Sequence, residues 1–63
     1  MSIPEKMAAS GKADKEIAEE LGLPTPTVWR WRKGLTRPNV VNIRSLARVI
    51  GCKPLELIPE EGG

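Results

Sequence analysis

The chain contains no histidine, tyrosine or phenylalanine, and its single cysteine is Cys52. One cysteine excludes an intramolecular disulfide, and without a Cys/His cluster there is no zinc-ligand spacing. Cys52 reads as a small buried apolar residue rather than a functional thiol. The side chain most used for proton transfer near neutral pH is missing altogether. No glycine-rich phosphate loop is present, and most of the acids fall on solvent-facing helix positions. These absences point away from an enzyme and away from any cofactor, metal or small-molecule ligand. No apolar run approaches the length of a membrane span, and no signal peptide is evident. A soluble cytoplasmic protein with no membrane partner is therefore expected.

One further absence is local. No acidic residue occurs from Leu21 to Leu55, whereas Arg30, Arg32, Lys33, Arg37, Arg44, Arg48 and Lys53 all lie there. The net charge of +2 conceals this polarity, because all eight acids sit outside the block. A basic block of this kind suits a polyanion. It is also compatible with a merely solvated face.

What is present is a helical period over 63 residues, enough for one small domain with a modest core. Five short helices and no strands are expected. Ser2-Ile3-Pro4-Glu5 has the form of a capping box, opening a helix that ends near Ser10-Gly11. A second helix runs from Ala13 or Asp14 to Glu20 or Leu21. A third, capped by Thr25 with Pro26 as its first residue, runs to Lys33 and stops at Gly34. Asn39 caps a fourth, Val40 to Ile50, with Ile43, Leu46, Ala47 and Ile50 inward. Pro54 opens a last short helix through Ile58, ended by Pro59. The domain is drawn as residues 1–59, with a disordered tail at 60–63.

The second and third helices carry the clearest signal. Ala18 is a small contact residue four positions before Gly22, where the chain must bend and positive φ is needed. Ile17, Leu21, Leu23, Val28 and Trp31 give each helix one apolar face. The result is the pattern of a helix-turn-helix, whose second helix enters the DNA major groove; an ordinary αα-hairpin would show the same spacing. Trp29 and Trp31 point about 200° apart on a helix. Trp31 fits the apolar face. Trp29 is then exposed beside DNA, packing on sugar-phosphate or a thymine methyl, or else partly buried against a neighbouring helix. Arg30 lies opposite Val28 and Trp31, where a guanidinium can grip guanine N7 and O6 or take a phosphate. Arg32, Lys33 and Arg37 read as phosphate clamps around the exit of this helix.

Ile17-Ala18, Leu21-Gly22-Leu23, Thr27-Val28, Arg30-Trp31, Gly34, Pro38, Ile43, Leu46-Ala47, Ile50-Gly51 and Leu57-Ile58 together resemble the Cro and phage-repressor (Xre-type) helix-turn-helix family. The resemblance runs from about Gly11 to Ile58. It implies an all-α, compact five-helix, lambda-repressor-like domain in a bacterial cell or phage-infected host. Such a domain would bind double-stranded operator DNA as a homodimer, formed in free solution or only on DNA, and act as a transcriptional regulator. Carried over by position, the base-contact sites are Thr25, Pro26, Thr27 and Arg30. The backbone contacts are Trp29, Arg32, Lys33, Arg37 and Asn39. The dimer contact falls on Val40, Val41 and Leu55, apolar residues where the pattern expects exposure. Arg44 and Arg48 read as solvated.

The chain departs from that family in places. Met7 stands where many relatives have an arginine, and Arg32 stands at the site of its glutamate partner. That buried ion pair is therefore absent, and Arg32 is expected to face DNA or solvent. Asp14 replaces a frequent glutamine and suits helix capping better than phosphate contact. Two other readings stay open: an interaction module such as an antitoxin or terminase-like piece, and the N-terminal DNA-binding domain of a longer repressor.

Overall fold

The helices stop where the sequence places a glycine. Gly11, Gly22, Gly34 and Gly51 all have positive φ, and no other described residue does. At Gly22 (φ 70°) the amide of Leu23 turns back to the carbonyl of Ala18 at 3.0 Å, closing the end of one helix and starting the turn to the next. An L side chain there would be strained, so the bend depends on glycine.

The computed structural model describes residues 3–58. Among them are α1 (Ile3–Ser10), α2 (Asp14–Leu21), α3 (Thr25–Lys33), α4 (Val40–Ile50) and a 3₁₀ turn at Pro54–Glu56, with no strand. The expected cap at Ser2, the stop at Pro59 and the tail at 60–63 lie outside the described residues.

The expected fifth helix is corrected. Its place is taken by a three-residue 3₁₀ turn, so the described residues form four α-helices. A segment this short cannot recover the cost of helix nucleation. The turn still matters, because Leu57 just after it is fully buried.

Packing follows the apolar periods. α2 lies against α3, α1 covers α3, α4 crosses α2, and the 3₁₀ turn sits on α4. Met7, Ile17, Val28 and Leu46 are completely buried, and Ala18 and Ala47 let the helices approach closely. Met7 is fully buried in the core, so no charge has to be compensated there. Ile50, expected inward, is half-buried with Leu21, Leu23 and Cys52 at the rim of the core. Burial pushes the Cys52 thiol above its ordinary pKa. Among the described residues no helix is long and apolar enough to cross a membrane.

A salt bridge pins the 3₁₀ turn to α1. Lys6 Nζ donates to Glu56 Oε1 at 2.7 Å, and Glu56 also accepts from the backbone N–H of Lys53. The Lys6 hydrogen bond lowers the Glu56 pKa, and the same bond raises that of Lys6. A lowered carboxylate contributes stability above its unfolded pKa and loses it as pH falls through the folded one. The raised lysine contributes below its unfolded pKa and loses it as pH rises through the folded one. Both contributions are therefore present at neutral pH. The expected result is that wild type melts above Glu56→Gln at pH 7 and that the gap closes as pH falls below the ordinary glutamate range. A gap constant through acid pH would refute this coupling.

Candidate nucleic-acid interface

Successive residues on a helix turn by 100°, which sorts α3 into two faces. Val28 and Trp31 are buried, with Thr27 and Arg32 half-buried on the flanks. Thr25, Pro26, Trp29, Arg30 and Lys33 are exposed and share the outward face. The two tryptophans divide as their spacing demands: Trp31 is 3% exposed and Trp29 44%.

The start of α3 differs by one residue from expectation. Thr25 is the first helical residue rather than the cap, and Pro24 holds the cap position in extended conformation (φ −63°, ψ 140°). A residue before proline is normally pushed out of the helical region, which placed the boundary at Pro26. In the first turn proline's missing N–H costs nothing, so Thr25 can join the helix. No side chain caps this terminus, and the Thr25 hydroxyl is not spent on capping. Of the four expected base-contact residues, Thr25, Pro26 and Arg30 face outward, and Thr27 sits at the edge.

Lys33 Nζ lies 5.9 Å from the centroid of the Trp29 ring, one helical turn away. The ammonium is attracted to the π face, and the stem of the lysine shields part of the indole from water.

Arg32 is not the free phosphate clamp it was expected to be. Its Nε donates to Asp14 Oδ1 at 2.5 Å, and its Nη2 donates to the Lys12 carbonyl at 2.7 Å. Asp14 is correspondingly a partner for Arg32 rather than a cap, and the cap position of α2 belongs to Ala13. Glu16 Oε1 reaches back to the Ala13 N–H at 3.4 Å. The ion pair of the resembled family is missing at its usual positions. A different pair joins the beginning of α2 to the end of α3 and braces the two helices of the turn. Residues eighteen apart in sequence meet here only because α2 and α3 cross, so no local spacing announces the contact.

The other cations are placed differently. Among the described residues the ion pairs are Lys6–Glu56, Lys12–Glu20 and Arg32–Asp14. Arg30, Lys33 and Arg37 are exposed and belong to none of them. Among the described residues their positive charge has no ion-pair partner. Asn39 caps α4, its Oδ1 accepting from Asn42 N at 2.8 Å. That leaves its amide NH₂ for any further contact. Pro38, in the loop before it, is buried and holds the loop against the core.

Val40, Val41 and Leu55 are 62%, 71% and 78% exposed. Arg44 and Arg48 are exposed as well, on the same outward face of α4 as the two valines. Leu35, in the loop after α3, is also exposed at 64% and was not singled out from the sequence. Its apolar side chain in a loop between two basic residues was the available signal. No group of three or more Cys, Asp or Glu side chains that could hold a metal occurs among the described residues.

A family model described as a homeodomain-like domain matches residues 6–40, from within α1 to the first residue of α4. No curated protein and no solved structure matches the chain.

Proposed function

The chain belongs to the homeodomain-like domain family, a helix-turn-helix DNA-binding family, and on that premise we propose that it is a sequence-specific transcriptional regulator of Cro/repressor type. The observation that carries the reading is the outward face of α3. Arg30 and Lys33 lie exposed there, outside any ion pair among the described residues and within a stretch free of acids. Placed in a major groove, Arg30 reads a base edge, and Thr25 and Pro26 lie at the end of the helix that enters deepest. Lys33, Arg37 and the Asn39 amide hold the flanking phosphates and set the register. Such contacts release counterions, so binding weakens steeply with salt. The assignment to the Cro/repressor type is supported by the part beyond residue 40. There α4 packs across α2 and the 3₁₀ turn closes the core, an arrangement that a bare three-helix unit would lack.

The proposed activity is binding alone, with no catalysis and no cofactor. Two copies would occupy a palindromic operator, with recognition helices about 34 Å apart on one face of the DNA. Val40, Val41 and Leu55 form the contact between them. The patch is small, so the pair would assemble on DNA rather than in free solution.

Selection of bound sequences from a random DNA pool tests this reading. The expected product is a palindromic motif bound cooperatively by two chains. Leu55→Glu should abolish the cooperativity and leave the melting temperature of the monomer unchanged. A single unrepeated half-site bound by one chain at full affinity would overturn the dimeric operator. Failure to enrich any motif would overturn the sequence-specific reading and favour a protein-interaction module.

A further inference from the structure

Pro26 and Trp29 are one turn apart on the outward face of α3, and both are exposed. An exposed indole on a small domain is costly to leave in water, and here it sits in the middle of a surface otherwise basic and polar. Arg30 borders it on one side, and the Lys33 ammonium lies over the ring at 5.9 Å. The two cations hold this apolar spot close to a polyanion. They also make it a poor seat for another apolar protein surface, which would have to bury both charges. A base edge in the major groove offers one apolar group only, the C5 methyl of thymine.

We propose that Trp29 reads a thymine methyl, with Pro26 completing the apolar contact, at a base pair next to the one gripped by Arg30. Trp29 thereby becomes a specificity-determining residue, not merely a contact to the sugar-phosphate backbone. Lys33 acts through it, holding the ring by its face so that the rest of the indole meets the methyl already ordered. The inference rests on the reading of α3 as a major-groove helix.

The test uses the full chain and its best selected site. Each thymine of the site is replaced singly by deoxyuridine, which removes the methyl and leaves base pairing intact. Wild type should lose about fourfold in affinity at one thymine per half-site, the worth of burying one methyl-sized group. Replacing that T·A pair by C·G should weaken binding, and 5-methylcytosine at the same position should recover part of the loss. Trp29→Ala, with an unchanged melting temperature, should bind the thymine and uracil sites equally.

The outcomes separate the inference from its premise. If wild type prefers its site yet tolerates every uracil, Trp29 does not read a methyl and this inference falls while the DNA-reading function stands. A uracil penalty retained in Trp29→Ala would also overturn it, because another residue would be the reader. If Trp29→Ala weakens all sequences alike, the ring packs on the backbone and the inference is wrong. If wild type shows no sequence preference, the major-groove reading fails and takes this inference with it.

Discussion

Trp31→Ala is expected to unfold the domain. The indole is 3% exposed and lies in the core, on the face of α3 turned toward the other helices. Truncating a buried tryptophan costs about 3–5 kcal/mol through lost burial and the cavity left behind. A domain of this size has roughly 3–9 kcal/mol of stability in all, at about 0.05–0.15 kcal/mol per residue. The substitution therefore removes a large share or the whole. Circular dichroism at 25 °C should show lost helix, or a melting transition displaced far downward. Trp29→Ala is the control, since that ring is 44% exposed and lies outside the core, with the Lys33 ammonium over it. Its melting temperature should hardly change. The opposite pattern would mean that the two faces of α3 are interchanged, and Arg30 would lose its outward position with them.

The second large effect concerns specificity. Arg30→Ala should cost about 1–3 kcal/mol on the cognate site and relax the preference at one base pair per half-site. Arg30 is exposed on the outward face of α3 and belongs to no ion pair among the described residues. Its removal should therefore leave the fold intact, which thermal melting checks independently. Arg37→Ala is the comparison. As a phosphate contact it should weaken cognate and random DNA alike and flatten the salt dependence. Equal losses on cognate and scrambled DNA for Arg30→Ala would reassign it to the backbone.

The Arg32–Asp14 pair changes how substitutions near the turn should be interpreted. Removing Arg32 leaves the half-buried Asp14 carboxylate without its partner and frees the Lys12 carbonyl. Lost DNA binding in such a variant would then report a displaced α3 before any missing phosphate contact. Arg37 is the cleaner probe of the electrostatic term, since it belongs to no ion pair among the described residues, whereas Lys33 also lies against the Trp29 ring.

Local chemistry was legible in the residues alone. Gly22, Gly34 and Gly51 ended helices where positive φ was needed, and Asn39 capped α4 as its position suggested. The period of 3.6 put Ile17, Ala18, Val28 and Trp31 inside and Arg30 outside, because a helix converts spacing directly into direction. The partner of Arg32 could not be read in this way. Nothing within four residues of it is acidic, and the carboxylate that takes it arrives from another helix. The extent of the last turn was also beyond the pattern. Pro54 and the apolar residues after it fit a helix, but tertiary packing needed only one 3₁₀ turn to seat Leu57 in the core. Spacing within about one turn thus set where α2, α3 and α4 stop and which of their faces turn inward, because those depend on near neighbours. Which charges are tied within the fold, such as Arg32, and which stay outside any ion pair among the described residues depended instead on residues brought together by helix crossing.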